Sequence, residues 1–451
     1  MSMRGIFAVA LCGIATMAFS QTPETLTFRD AVRIGLRNNV TLNKNRNDLE
    51  YTQLNKTSTL LQMGPSVRAN ASAYRNDGNS FNPQEGVVVR GMIDYINGAI
   101  EAEMPIFTGL RMLNSHRQSV SENEAQLHKV NRSAQDVIRD IASQYLTCLL
   151  DQQLVAIDEQ NVEAQRVQYE QIKAQVELGT RAEADLYNQE YQLKNAQLLL
   201  VRSRNQLKDD KALLAQTLLI DPATPFELAE VDWDVNLALM DTLSLDQMMA
   251  TAMARRSDLR QAEELQDATR FQYRAVKGRH FPSLYAGASF NSRYNYIHDA
   301  DNRSFEEQFR HDNRQFGYGV SLSIPIYGGL LTRSQAAQAR AIYKNAELDT
   351  EQTKIQVRTD VIRAYQNLRD AIASYEAADA QLRAAELTYR MEKERYDLGI
   401  SDIVQLAVVN QTYTKAQADF QSARYTLMFQ QILVSHAIGT LQLEDIPEAS
   451  N

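Results

Sequence analysis

Two cysteines in 451 residues leave little scope for covalent cross-linking. Cys12 falls inside a short apolar stretch near the start, so the folded chain keeps only Cys148, and a lone thiol forms no internal disulfide. Stability must come from packing or assembly. Proline and glycine are scarce, at 9 and 18, whereas a sandwich crowded with tight turns and a disordered tail both need more of them. No stretch after residue 20 approaches the roughly 18 continuous apolar residues of a spanning helix. A mean hydropathy of −0.41 with 23% charged residues excludes a bundle of membrane helices. Basic residues are outnumbered 47 to 56, for a net charge of −9, which leaves nucleic acid without an electrostatic basis. Catalytic patterns are missing as well. The six histidines (His116, His128, His280, His298, His311 and His436) show no metal-ligand spacing, and Gly317-x-Gly319 lacks a phosphate-loop context. The chain reads as a non-enzyme without cofactor or metal, built mainly of long helices.

Residues 1–20 read as a signal peptide. Arg4 supplies the positive start, Ile6 to Met17 the apolar core, and Ala18-Phe19-Ser20 the small residues before a mature start at Gln21. Cys12, only eleven residues from the start and preceded by the bulky Leu11, reads as part of that core and not as a lipid attachment site.

An internal repeat organises the rest of the chain. Leu26-Thr27-Phe28 recurs as Leu243-Ser244-Leu245, and Gly64-Pro65-Ser66-Val67 as Phe281-Pro282-Ser283-Leu284, both at an offset of 217. Met104-Pro105-Ile106-Phe107 answers Ile324-Pro325-Ile326-Tyr327 at 220, as Leu178-Gly179-Thr180 answers Leu398-Gly399-Ile400. The length difference is confined to 75–95 against 292–315, which therefore reads as loop. The first repeat is placed at 21–236, with a β-hairpin at 65–105 and a helical hairpin at 110–218. The second is placed at 237–451, with a β-hairpin at 282–326 and a helical hairpin at 330–440.

Ile141, Cys148, Val155, Val162, Tyr169 and Val176 fall on a strict seven-residue spacing, and Val361, Leu368, Tyr375, Leu382, Tyr389 and Tyr396 repeat it. After each Leu-Gly turn comes a second stripe: Leu186, Leu193, Leu200, Leu207, Leu214, then Leu406, Tyr413, Phe420, Leu427, Val434. Such spacing holds one seam against a partner helix, which is coiled-coil geometry. From Leu110 to Leu178, at 1.5 Å per residue, one helix reaches on the order of 100 Å. Gly179 and Gly399 mark the reversals.

Strands are signalled by a period of two. Phe316, Tyr318, Val320, Leu322, Ile324 and Ile326 alternate with small or polar residues, as do Ile96 to Ile106, Val67 to Ala73 and Leu284 to Phe290. Segments of about ten residues with one apolar and one polar face suit a membrane barrel wet on the inside. Four strands cannot enclose a lumen, and open edges are costly in hydrocarbon, so the barrel must be shared between copies. Three copies would supply twelve strands.

These residues resemble the outer-membrane efflux proteins, the TolC-like family. The resemblance rests on Leu-Thr-Phe-x-x-Ala-Val-x-x-Gly-Leu-x-x-Asn at 26–39, Pro-Ile-Phe-x-Gly-Leu at 105–110 with its echo at 325–330, the paired Leu-Gly turns, and Ile438-Gly439-Thr440-Leu441. It implies an α+β membrane protein, a homotrimer with a coiled-coil tunnel and a shared 12-stranded barrel of four strands per protomer. It also implies an outer-membrane location with a long periplasmic extension in outer-membrane lipid. The implied role is the exit duct of a tripartite efflux pump or type I secretion system, partnered by a periplasmic adaptor and an inner-membrane transporter. A periplasmic coiled-coil scaffold without transport is the alternative.

The candidate residues divide into three groups. Leu178, Gly179, Thr180, Leu398, Gly399 and Ile400 form the tips, which the resemblance makes the adaptor-docking surface; two ordinary reverse turns are the bland alternative. Arg181, Asp185 and Asp402 are candidates for entrance gating, although carboxylates at a helix start also serve as caps or dipole partners. Family members place acidic residues six and nine after the second Leu-Gly turn, where this chain has Gln405 and Val408, so that constriction does not carry over. Glu101 and Glu103 fall on the polar strand face, where three copies would focus six carboxylates near one level of a lumen. Phe107 and Tyr327 suit a membrane interface or packing under a bend.

Overall fold

The computed structural model describes residues 24–82, 86–223, 225–231, 244–298 and 300–445. The signal-peptide segment and the 236/237 repeat boundary lie outside them. Elements are numbered in chain order. β1 (Glu24–Leu26) leads into α1 (Phe28–Asn38) and α2 (Val40–Leu61), then β2 (Ser66–Asn82) and β3 (Val87–Thr108), then α3 (Arg111–Glu177) and α4 (Glu183–Leu218). β4 (Phe226–Leu228) pairs in parallel with β1. The same order then returns: α5 (Leu245–Arg255), α6 (Ser257–Lys277), β5 (Ser283–Ile297), β6 (Gln315–Ser323), α7 (Leu331–Asp397) and α8 (Ile403–Ile438). α3 and α7 each span 67 residues and α4 and α8 each 36, so the long helical hairpins match residue for residue.

Every residue of the seven-residue stripes is buried or half-buried. That is the expected consequence of a seam facing a partner helix along its length. The largest core lies midway along α3, where Ile141, Tyr145 and Leu149 meet Phe28 of α1 and Leu214 and Leu218 of α4. Tyr145 stacks on Phe28 with ring centroids 4.9 Å apart, and its hydroxyl reaches the carbonyls of Leu26 and Ala229, each at 2.9 Å. One phenol thus ties α3 to the small β1–β4 sheet. A second core joins α5 to α7 and α8 through Met248, Val361 and Leu427. α6 packs against both α3 and α7, whereas its counterpart α2 packs chiefly against α3. The outer flank of α2 leaves Tyr51, Leu54 and Leu61 exposed.

The four long strands form one antiparallel sheet in the order β2-β3-β5-β6, with the β3–β5 pair joining the two hairpins. Its register separates the faces. Val67, Ala102, Ala288 and Tyr318 share one row of the apolar face, followed by Ala69, Ile100, Phe290 and Phe316. On the opposite face run Arg68, Glu101, Ser289 and Gly317, then Asn70, Ala99, Asn291 and Gln315.

Two expectations change here. Within 75–95, read as loop, residues 75–82 and 87–95 instead lengthen the hairpin: β2 and β3 stay paired out to Asn82 and Val87. Cross-strand partners explain it, because Arg75 donates to Asp94 at 2.6 Å and Tyr74 stacks on Tyr95 at 5.0 Å. Conversely, β6 stops at Ser323, before the alternation ends, since Pro325 has no N–H to give a ladder. In β3 the matching Pro105 is accommodated by a shift in register before Phe107. Tyr327 is 87% exposed, which removes packing under a bend as its role.

Among the described residues, 300–314 act as the connection, and they cover the upper edge of β5. Asn302 accepts from the Ile297 N–H at 2.8 Å and donates to its carbonyl at 2.7 Å. Gln308 does the same for Asn295, at 3.1 and 3.0 Å, and Asn313 donates to the Arg293 carbonyl at 2.9 Å. Side-chain amides replace a neighbouring strand there.

Candidate functional site

At the far end from the sheet, both Leu-Gly turns close in the same way. Gly179 and Gly399 adopt φ of 74° and 72°, a left-handed conformation that costs a side chain strain. The N–H of Gly179 donates to Val176 and that of Thr180 to Gln175, both at 2.9 Å; Gly399 and Ile400 repeat this with Tyr396 and Arg395. These are the paired bonds of a Schellman stop. Leu178, Leu398 and Ile400 project into solvent at 79%, 74% and 65% exposure. Tyr187 and Tyr191 on α4, and Val404 and Val408 on α8, extend the exposed apolar surface along the first turns. The sequence pointed to none of the four as tip surface. Their i, i+4 spacing beside the buried stripe was the available signal.

Behind the turns, Ile172, Tyr396, Ile403 and Leu406 pack the first hairpin against the second. Arg181 completes that junction: its guanidinium lies 5.0 Å over the Tyr396 ring and 3.6 Å from the Asp185 carboxylate. Two of the three gating candidates are therefore brought together. Asp402 is placed apart from them as the N-cap of α8, accepting from the Gln405 N–H at 2.8 Å. The first hairpin has Ala182 at that position and no side-chain cap. Next to the second turn, the buried Glu392 accepts a hydrogen bond from the Ser401 hydroxyl and pairs with Arg395 at 2.9 Å.

On the sheet, Glu101 and Glu103 share the polar face with Ser66, Arg68, Ser289 and Ser321 along one concave surface. Arg68 stands directly opposite Glu101 in the register, while Glu103 faces Ser66 and Gly287. The row is thus less acidic than the strand pattern implied. Glu101 thus has a basic residue as its cross-strand neighbour, and Glu103 does not.

Among the described residues, no helix is long and apolar enough to cross a membrane, and no group of three or more His, Cys, Asp or Glu side chains is arranged to hold a metal.

The family model described as outer membrane efflux protein matches residues 36–218 and 248–440. The outer membrane protein TolC of Vibrio cholerae is 27% identical over 284 residues, covering 63% of each chain. TolC of Escherichia coli is 25% identical over 319 residues, covering 70% of this chain and 64% of the relative. The match spans just under two thirds of the length of these curated relatives. Among solved structures, the outer membrane protein VceC of Vibrio cholerae superposes with a TM-score of 0.77 at 13% identity, over 91% of this chain and 96% of the other, a likeness of fold.

Proposed function

The chain belongs to the outer membrane efflux protein family and is an outer-membrane protein, and we propose that it is the exit duct of a tripartite efflux pump or type I secretion system. One observation carries this reading: a two-faced sheet with unpaired outer edges on β2 and β6, joined to helical hairpins on the order of 100 Å long. Unpaired edges are not sustainable in hydrocarbon, where each orphaned backbone group costs several kcal/mol. Pairing β6 of one copy with β2 of the next closes the sheet, and three copies give a 12-stranded barrel. The exposed flank of α2 then meets α7 of the neighbour, as α6 already bridges α3 and α7 within one chain. Extending away from the barrel, the helical hairpins form a periplasmic tunnel.

Within that assembly the apolar tips at Leu178, Gly179, Thr180, Leu398, Gly399 and Ile400 receive the helical hairpin of a periplasmic adaptor, which connects to an inner-membrane transporter. An exposed apolar patch has no structural purpose in a soluble tube. Arg181 and Asp185 hold the two tips of a protomer together at the entrance, with Asp402 shaping the start of α8. Glu101 and Glu103 line the lumen. A coiled-coil scaffold would leave the two-faced sheet without a use.

The test is deletion in the host, with fractionation and native mass measurement of the restored protein. Outer-membrane trimers and regained resistance to small toxic compounds or regained polypeptide secretion are expected. Resistance and secretion should not return with Leu398→Asp/Ile400→Asp, provided that this variant still trimerises. A monomer in detergent, or full activity of the tip variant, overturns the reading.

A further inference from the structure

Where α6 meets the end of α8, four guanidinium groups face one cavity of about 260 Å³. Arg132 and Arg139 come from α3, Arg256 from the start of α6 and Arg363 from α7, while His436 and Gln430 of α8 complete the wall. Asp360 is the single carboxylate on the lining. Three of its side chains are enclosed, Arg256 at 2% exposure, His436 at 9% and Arg132 at 15%, while Arg363 stands exposed at the mouth. Arg256 is held by Asp258 at 2.5 Å and Asp360 at 2.9 Å, and Arg139 by Asp136 at 3.2 Å and Asp140 at 2.8 Å. Arg132 donates to the His436 carbonyl at 3.1 Å, and His436 Nε2 lies 2.7 Å from Asp136. Arg363 makes no ion pair or hydrogen bond among the described residues. Burial, with repulsion from Arg256 and Arg139, holds the Arg132 pKa below its ordinary value.

Part of this charge serves the end of α8, since Arg132 and Arg256 both reach its last carbonyls. The other half of the molecule shows that the fold does not require it. There the end of α4 is closed by a neutral amide, Asn38 Nδ2 donating to the Leu218 carbonyl at 3.1 Å. At an offset of 220, Ser143 and Gln216 stand where Arg363 and His436 do, and Gln352 and Thr359 match Arg132 and Arg139. The arginines are an addition to one of two otherwise parallel junctions.

We propose that this cavity binds a compact tetrahedral oxyanion of the phosphate or sulfate class. Guanidinium forks from three helices suit such an ion, which accepts several charge-assisted hydrogen bonds at once. The bound anion would bridge α3, α6 and α7 beside the end of α8, acting as a staple across the wall. The site lies within one chain, so its failure would leave the duct reading intact.

Thermal unfolding of the full-length protein in detergent tests this, with inorganic phosphate and sulfate titrated against chloride at constant ionic strength. A saturable rise in Tm with both oxyanions is expected, with apparent affinity at least tenfold weaker in Arg363→Gln and partly retained in Arg363→Lys. Arg166→Gln, which removes an exposed i, i+3 pair on α3, should respond as the wild type does. Sulfate also stabilises proteins non-specifically by exclusion from their surface. A linear, unsaturated rise, or one undiminished in Arg363→Gln, therefore overturns the proposal. Calorimetric titration of the same variants with phosphate provides a readout independent of unfolding, and equal heats for wild type and Arg363→Gln refute it as well.

Discussion

Replacing Arg181 with alanine is expected to loosen the junction between the two hairpin tips. The guanidinium sits 5.0 Å above Tyr396, with its own side chain 23% exposed and the tyrosine 8% exposed. A partly desolvated cation–π contact of this kind contributes about 1–2 kcal/mol. The Asp185 pair, at 3.6 Å between partly exposed partners, adds about 0.2–1 kcal/mol. Together they bias one protomer's tips toward contact by about 1–3 kcal/mol, a factor of about 5–150 in the equilibrium. Single-channel recording in a planar bilayer reads this directly, and Arg181→Ala should raise the conductance or the open fraction of a resting channel. A double-mutant cycle with Tyr396→Leu isolates the contact from general disruption. Conductance equal to wild type, or a coupling energy of zero in the cycle, would refute the reasoning.

Other perturbations test other parts of the same structure. Asp151, buried on α3 beside Asp210, has its pKa pushed up to about 7 by burial and by that neighbouring carboxylate. The folded chain therefore holds a proton the unfolded chain releases, and stability falls as pH rises from about 4 to 7. Asp151→Asn should be more resistant to guanidinium than wild type at pH 8, with the gain vanishing toward pH 4; equal denaturation midpoints at pH 8 contradict this. Glu103→Gln should lower cation preference in a bilayer, whereas Glu101→Gln should lower it further by leaving Arg68 unopposed; identical reversal potentials for the two would remove Arg68 from the account. Tyr145→Phe should cost about 1–3 kcal/mol, because the carbonyls of Leu26 and Ala229 lose a buried donor. Chemical denaturation measures it, and an unchanged midpoint means those carbonyls find other partners.

The sequence was most legible where a signal repeats at short range. Seven-residue stripes marked the long helices, and Leu-Gly marked both turns, because helical packing and helix stops are decided within a few residues. The outer half of the β2–β3 hairpin was hidden. Arg75, Asp77 and Asp94 look like loop residues until Arg75 is set opposite Asp94 across the ladder. The contact group at the tips was legible as far as Arg181 and Asp185, which lie four residues apart. Tyr396, its aromatic partner, lies 215 residues further on. By type and position Asp402 suits a gate residue and a cap alike, and its bond to the Gln405 N–H shows the capping contact. The arginines around His436 come from three separate helices, so no local pattern announces them.

The amides of Asn302, Gln308 and Asn313 have a consequence for how copies recognise one another. An edge already satisfied by side chains is no template for another strand. On that side the chain offers only β6, nine residues long, or about 30 Å along the strand at roughly 3.3 Å per residue. Tilted by about 35–45°, such a joint stands some 20–25 Å tall, close to the apolar band of roughly 25 Å on a bacterial barrel. In the proposed trimer the seam between subunits is then as tall as the hydrocarbon it must seal, and the chain above it is left to face the outside as three separate crowns.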